Sequence, residues 1–499
     1  MLARMARPGR SQSESRRRAG PAVWMALVAA VASLASGCLK VAPYQKPAAA
    51  APQQFKEAPP AGWKEAQPSD GTLRGKWWEV FNDPSLNALE EQVPTANQNL
   101  QEAEANFRQA QAAVRIARTG LYPTISAAPS VTGAQQSSRL ATGGNSSPFA
   151  VLALPVSASY TYDLWGSIHR GIAQSANTAQ ALAAAMESAR LLYQAELAQD
   201  YFELHGADAD AALLQDAANS YKEYLTLTQV RYQGGVATDA DVAQAETQLY
   251  TTQAQLTDLE VQRSQFEHAI AILVGKPPAE FSIPRAPTRF SFPAIPVSLP
   301  SALLERRPDI AEVERQAAAA NQQIGVAQAA FYPTLSFSAS AGVEAASLIN
   351  WITWPSRFWT LGPQLAQILF DAGRRTAQVA QAQAGYDATA AAYRQTVLTA
   401  FQQVEDNLAA LRVLENEAKV LEQAVSSAQR AVTVSDAQYK GGTATYLQVI
   451  TTQTIALQDE RSALDVQTRR MVAMVGLIQA LGGGWDPSSL PTEAAVAAK

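Results

Sequence analysis

Apolar and polar residues alternate along a short stretch of the chain, residues 150–164, where the even-numbered positions from 152 onward are apolar and the odd-numbered positions are mostly small or polar. A period of two is typical of a β-strand with one apolar face. Residues 333–344 show the same alternation. Weaker patterns predict partner strands at about 123–135 and 358–370, the last mainly because it falls within the sequence repeat described below. Four strands are therefore expected, in two pairs.

Much longer stretches place apolar residues every three or four positions, which predicts helices. Helical rods of about 65 residues, on the order of 100 Å long, are expected at roughly 166–232 and 371–439. A rod of that length needs coiled-coil-like packing. In the second rod the narrow apolar seam consists of Val397, Phe401, Val404, Leu408, Leu411, Ala418, Leu421, Val425, Ala428 and Val432. A Gly-Gly pair and a returning helix follow each rod, which predicts helical hairpins at about 166–275 and 371–482.

The strands and hairpins belong to a duplication of roughly 200 residues. The matched blocks are Leu121–Ser126 with Phe331–Ser336, Tyr162–Arg170 with Phe370–Arg375, and Val230–Thr238 with Ala437–Thr445. We predict a first structural repeat over 76–290, a second over 291–484 and a C-terminal tail at 485–499. The fold class is mainly α with a smaller β part.

The beginning of the chain has the pattern of a secretory signal peptide, predicted over 1–37. An arginine-rich segment precedes a short apolar run, and small residues lead to Cys38, the single cysteine of the chain. This arrangement resembles a bacterial lipobox, in which Cys38 carries a covalent lipid; the alternative is an incidental or buried cysteine. One cysteine excludes an internal disulfide. Residues 38–75 are rich in proline, alanine and glutamine and are expected to form an extended, lipidated tether.

Composition and motifs argue against several functions. The net charge of −5 and the lack of a basic patch after the signal disfavour nucleic-acid binding. The three histidines show no metal-ligand spacing, and no phosphate loop, dinucleotide fingerprint or nucleophile elbow is found. We therefore predict a protein that is not an enzyme and needs no cofactor or metal, apart from the lipid on Cys38.

The strands instead suggest a membrane protein. No stretch after the signal reaches the 18 or so apolar residues of a transmembrane helix, so a membrane-spanning part would have to be built from strands. Four strands cannot close a barrel, and open edges are not tolerated in lipid. Three chains would contribute twelve strands, and their rods would surround a helical cylinder continuous with that barrel.

Ordered motifs strengthen this hypothesis. Trp77–Leu86, Leu303–Ile310 with its Arg-Arg-Pro-Asp block, the two Tyr-Pro sites and the two Gly-Gly tips resemble the TolC family of outer-membrane channel proteins, in its lipoprotein branch. The resemblance covers about residues 43–485. It implies a homotrimer with a twelve-stranded β-barrel in the bacterial outer membrane and an α-helical barrel in the periplasm. It further implies a multidrug efflux duct whose partners are a periplasmic adaptor (membrane fusion) protein and an inner-membrane transporter of the resistance-nodulation-division class.

The same resemblance assigns roles to the hairpin tips. It implies that the adaptor docks on Gly234, Gly235 and Val236 in the first tip and on Gly441, Gly442 and Thr443 in the second. The alternative is that these residues only end the helices; the two roles are compatible.

A periplasmic gate is expected beside the tips. Family members close this end with a leucine and one or two aspartates; here Leu447 matches, but Gln448 and Thr451 occupy the acidic positions. Asp239 and Asp241 follow the first tip, and could supply negative charge at the entrance. Their alternative role is to stabilise a helix N-terminus.

Two other functions fit parts of the pattern. The same duct could serve type I protein secretion, because a pore wall contains little information about the substrate. A lipid-tethered periplasmic coiled-coil spacer or adaptor would explain the rods but not the amphipathic strands. The loop at 348–355, between the third and fourth strands, is aromatic; it could lie at a membrane interface or pack on itself.

Overall fold

A computed structural model of the protein describes residues 43–57, 75–135, 137, 147–285, 290, 292–293, 295 and 306–498. The predicted signal peptide, Cys38 and residues 303–305, which precede the Arg-Arg-Pro-Asp block, lie outside these residues. In each repeat a 22-residue helix, a set of strands and one helical hairpin follow in that order, and two short helices precede them in the first repeat.

The helices carry the labels α1 to α9. They are α1 Pro84–Glu90, α2 Val93–Ala96, α3 Gln98–Thr119, α4 Ser167–Gln233, α5 Asp239–Leu273, α6 Pro308–Ala329, α7 Arg374–Lys440, α8 Tyr446–Ala480 and α9 Glu493–Ala498. The rods α4 and α7 have 67 residues each, in line with the length expected from the sequence. Among the described residues, none of the helices combines the length and apolarity that crossing a membrane requires.

The main core lies where the rods pass the short N-terminal helices and the ends of α5 and α8. Trp77, Leu204, Tyr393 and Met471 are fully buried there. The apolar seam of α7 enters the same core, with Val397, Val404 and Leu408 almost inaccessible to solvent. Closer to the hairpin tips the seam consists of small and half-buried residues. The seam of α7 is therefore most deeply buried in the middle of that rod.

The strands form one antiparallel sheet at the end of the rods opposite the Gly-Gly turns. They are β1 Thr124–Ala127, β2 Ser130–Ala134, β3 Phe149–Tyr162, β4 Thr334–Ala345 and β5 Arg357–Ala366. The sheet order is β1-β3-β4-β5, with β2 also paired to β3. The pairing of β3 with β4 joins the two repeats within one sheet.

The first strand expected from the sequence is divided in two. Ala127 lies opposite Val156 and Ser130 lies opposite Ala153, so the register is the same on both sides of the interruption. Pro129 and Pro155 fall within the gap, and neither has an N–H to donate to the ladder. Thus β1 and β2 follow one strand path, and the sheet has four paths.

The fourth strand ends at Ala366 rather than at residue 370. Its last partner is Thr334, the first residue of β4. Pro333 precedes Thr334 and cannot continue the ladder, so residues 367–370 lack a strand partner.

The register produces two chemically different sheet faces. Across β3, β4 and β5 one face carries a continuous apolar row, for example Tyr160 opposite Phe337 and Ala339 opposite Leu361. The other face is largely serine and threonine, and the Ser157 hydroxyl donates to Ser340 across it at 3.1 Å. Ile125 and Val131 of the first strand path lie on the apolar face, where they are more than two thirds exposed.

Part of the expected tether is docked along the second rod. The Tyr44 hydroxyl donates to the Glu314 carboxylate at 2.8 Å. Further along, the backbone N–H groups of Lys56 and Glu57 donate to the Glu405 carboxylate at 2.7 and 2.9 Å. The described segment 43–57 contains no helix or strand, and α6 and α7 hold it in place.

Candidate functional site: the helical tips

Both rods end in the same turn. The N–H groups of Gly234 and Gly441 each close a last helical turn at 3.0 Å. Gly235 and Gly442 follow with φ angles of 73° and 77°, a left-handed conformation that favours glycine. The sequence-predicted docking residues therefore occupy matching places at the two tips. Val236 is 79% exposed, which leaves it accessible to a partner.

The helix after the first tip begins with a capping box. The Asp241 carboxylate accepts from the Thr238 N–H at 2.8 Å, and the Thr238 hydroxyl oxygen accepts from the Asp241 N–H at 3.2 Å. This pairing satisfies free N–H groups at the start of α5. The geometry supports the helix-stabilising role that the sequence offered as the alternative to an acidic entrance. Asp239 is exposed in the same turn.

The second tip lacks that cap. Thr445 occupies the corresponding position, but its side chain makes no capping hydrogen bond. Gln448, the repeat partner of Asp241, contacts the Gln438 side chain at 3.5 Å instead. The Thr451 hydroxyl donates to the Leu447 carbonyl at 2.8 Å, and the Leu447 side chain is 58% exposed. A gate leucine needs such an unburied apolar side chain.

A small second core holds the two tips side by side. It contains Tyr221, Leu225 and Leu249 of the first hairpin with Tyr439 and Tyr446 of the second. The rings of Tyr439 and Tyr446 lie 5.7 Å apart, centre to centre. Burial and the neighbouring Tyr439 raise the pKa of Tyr446, so its hydroxyl stays neutral.

Polar contacts at the edge of this core join the two rods; together they are called the tip latch. The Tyr224 hydroxyl of the first rod donates to the Asp436 carboxylate of the second, which also accepts from the Lys440 ammonium at 2.8 Å. The Arg231 guanidinium donates to the Tyr439 carbonyl at 3.1 Å and lies over the Tyr439 ring at 4.2 Å.

Electrostatics keep the latch charged at neutral pH. Burial acts to raise the pKa of Asp436, but hydrogen bonds from Lys440 and Tyr224 outweigh it, and the pKa lies below its ordinary value of 3.8. The pKa of Tyr224 is raised by burial and by its bond to Asp436. Tyr224 therefore remains a donor and Asp436 an acceptor throughout the neutral range.

The sequence did not predict the latch. Arg231 and Tyr439 lie inside the repeated blocks that mark the tips; Gln438 replaces Arg231 in the second copy, whereas Tyr439 corresponds to Tyr232 in the first. Tyr224 and Asp436 are 212 positions apart, and no local pattern connects them. Among the described residues, no group of three or more His, Cys, Asp or Glu side chains is placed to hold a metal ion.

Comparisons with known proteins agree with this architecture. The family model described as outer membrane efflux protein matches residues 91–276 and 299–483, one segment in each repeat. The outer membrane protein OprJ of Pseudomonas aeruginosa is 32% identical over 461 residues, covering 91% of this chain and 95% of its own. The solvent efflux pump outer membrane protein SrpC of Pseudomonas putida is 29% identical over 453 residues, covering 91% and 96%. The solved structure of the outer-membrane channel OprN superposes with a TM-score of 0.83 at 26% identity, covering 89% of this chain and 99% of that one.

An antiparallel sheet at one end of paired helical hairpins is the fold of outer-membrane channels. The chain belongs to the outer membrane efflux protein family, which confirms the resemblance drawn from its motifs. It is an outer-membrane channel of an efflux system, and its rods extend into the periplasm.

Proposed function

We propose that this channel is a homotrimer and the passive exit duct of a tripartite efflux pump. The observation that carries the proposal is the two-faced sheet, whose apolar face is continuous over four strand paths while both edges are open. Backbone N–H and C=O groups that lack partners at a sheet edge are energetically unfavourable in lipid, so the sheet must pair with the sheets of other copies of this chain. Three copies give twelve strands, an even number that closes a barrel around the serine- and threonine-rich face.

Small organic compounds are the proposed cargo. The inner face of such a barrel would carry hydroxyl groups rather than a shaped binding pocket, which suits passage without tight binding. The relative SrpC is named for solvent efflux, and we extend export of small toxic or drug-like compounds to this chain. The energy comes from an inner-membrane transporter, of the resistance-nodulation-division class.

The tips are the proposed regulated end. Docking of a periplasmic adaptor at Gly234–Val236 and Gly441–Thr443 would lie next to the tip latch. Breaking the latch would let the second hairpin move away from the first, and the exposed Leu447 side chains of three copies would separate. The capped first tip is the fixed element in this arrangement.

A lipid on Cys38 is the proposed membrane anchor. The docked segment that begins at residue 43 runs from α6 toward the middle of α7, and its bonds to Glu314 and Glu405 hold it on the rod. Intact mass measurement on membrane-extracted protein should show a lipid mass that is lost in Cys38→Ser. An unmodified wild-type chain would reject the anchor.

Conductance and mass together test the duct. We expect detergent-purified protein to have the mass of three chains and to form channels in planar bilayers that are mostly closed. Leu447→Ala should raise the conductance, because it removes apolar bulk at the tip. A monomer that needs no detergent and conducts nothing would contradict the proposal.

Adaptor docking has its own test. A cysteine replacing Val236 should crosslink to the adaptor in intact cells, whereas a cysteine replacing the exposed Leu398, far from the tips on α7, should not. Equal crosslinking at both positions would reject the tips as the docking surface.

A further inference from the structure

The loop between β4 and β5 presents apolar side chains to its surroundings. Its backbone is held internally, with the Thr353 hydroxyl donating to the Asn350 carbonyl at 2.8 Å. Four large apolar side chains are nevertheless 72–91% exposed, namely Leu348, Ile349, Ile352 and Trp354. They do not pack on the loop itself, which was one of the two interpretations of the sequence. The loop lies at the end of the sheet farthest from the rods, the outer side of the membrane.

Arg357 lies beside this apolar cluster and on the membrane face of the sheet. It is the first residue of β5 and pairs with Val343, so its side chain belongs to the same face as Trp359 and Leu361. Its guanidinium carbon lies 3.4 Å from the centre of the Trp354 ring. Over the described part of the chain, Arg357 has no carboxylate partner. The nearby Glu344 pairs with Ala153 and therefore lies on the opposite face.

A guanidinium on a membrane face is unfavourable in hydrocarbon but favourable among lipid headgroups. Stacking on an indole ring uses the flat surface of the guanidinium and leaves its edge N–H groups free. Those edge groups match the oxygens of a phosphate in a two-point hydrogen bond. Tryptophan also prefers the boundary between headgroups and acyl chains.

We propose that Arg357 and Trp354 form a binding site for the phosphate of an anionic outer-leaflet lipid of the lipid A class. The exposed side chains of Leu348, Ile349 and Ile352 belong to the same loop as Trp354 and add apolar surface next to this site. The site rests on the outer-membrane location of the chain and not on the proposed pump partners.

Native mass spectrometry of the full-length protein in detergent tests the site, with diphosphoryl lipid A as the probe. The wild type should bind it at lower concentration than zwitterionic phosphatidylcholine. Arg357→Gln should weaken lipid A binding about tenfold, because one charge-assisted hydrogen bond to the phosphate is lost. Trp354→Leu keeps the apolar bulk but removes the ring, and should weaken binding by roughly threefold.

Two further variants separate charge from folding. Arg357→Lys keeps the charge without the two-point geometry and should bind between the wild type and Arg357→Gln. Arg430→Gln removes an exposed arginine of α7 in the periplasmic part, and should bind lipid A as the wild type does.

Four results would overturn the proposal. They are unchanged lipid A binding in Arg357→Gln, equal binding of phosphatidylcholine by the wild type, displacement of lipid A by excess inorganic phosphate, and loss of assembly in Arg357→Gln with unchanged lipid affinity. The third would indicate a site for free anions, and the fourth would assign the loop to contact between copies of this chain.

Discussion

The two helical hairpins are equal in size and differ in chemistry. Each has a rod of 67 residues and a returning helix of 35, joined by the same glycine turn. The first hairpin begins its returning helix with a capping box, and the second begins it without a side-chain cap. Duplication has preserved the backbone, whereas the side chains at the tips have diverged.

The divergence is complementary. Asp436 corresponds to Gln229 in the first copy, Arg231 corresponds to Gln438 in the second, and Tyr224 corresponds to Ala431. Tyr224 occurs only in the first copy and Asp436 only in the second, so the bond between them forms only between unlike copies. Two identical hairpins would lack this bond, and this part of the latch therefore depends on the difference between the halves.

The largest effect is expected from removing the shared acceptor of the latch. Asp436→Ala takes away the partner of both Tyr224 and Lys440, and should raise the open probability in planar bilayers about tenfold. Asp387→Ala, which removes an exposed acid from the same rod outside the tip, should leave conductance unchanged. Equal effects of the two variants would show that the latch does not restrain opening.

Acid should produce the same opening without a mutation. The folded-state pKa of Asp436 is lowered, so the latch contributes fully above the ordinary value of 3.8 and weakens as the pH falls below it. Conductance should be constant from neutral pH down to that value and rise below it. The rise should be absent in Asp436→Asn; a rise already present near neutral pH would argue against this residue.

A smaller effect is expected at the turn itself. Gly442→Ala forces alanine into a φ of 77° and should destabilise the tip by about 1 kcal/mol, although no atom obstructs the new methyl group. The neighbouring Gly441 has a φ of −78°, which alanine adopts readily. Gly441→Ala is therefore the matched control and should destabilise the tip much less than Gly442→Ala. Hydrogen exchange of the amides at 438–446 measures both.

The smallest effect concerns the cap. Asp241→Ala should lower the stability of the first turn of α5 by about 1 kcal/mol, because the capping box is lost. Gln448→Ala, at the equivalent place in the second tip, should change little. Faster hydrogen exchange confined to the start of α5 would support the capping role. An unchanged exchange rate together with lost cation selectivity would restore the charged-entrance interpretation.

The sequence predicts those features that depend on neighbours along the chain. The alternation in β3 and the seam around Val404 required only local periodicity, and the structure confirms both. The alternation of apolar and polar side chains in β5 becomes clear from its pairing with β4, which places Trp359, Leu361 and Leu365 on the apolar face. The sequence alone obscured this pattern because Gly362 and Pro363 interrupt it.

Features that depend on distant pairs were missed. The interruption at Pro129 could be expected only with knowledge that Pro155 lies on the adjoining strand. The latch joins Tyr224 to Asp436 across more than two hundred residues, and neither residue is unusual within its own helix. The tether shows no periodicity that would reveal its bonds to Glu405.

The equal turns of the two hairpins also determine the symmetry that an approaching protein would meet. In the proposed trimer, three chains present six tips with nearly the same backbone, so the periplasmic end approximates a six-fold ring although its true symmetry is three-fold. If a partner contacts only the glycine turns, six copies of it can bind to one trimer. If it distinguishes the capped tip from the uncapped tip, only three copies can bind. The stoichiometry of the assembly therefore depends on whether the partner contacts the shared turns or the tip-specific side chains.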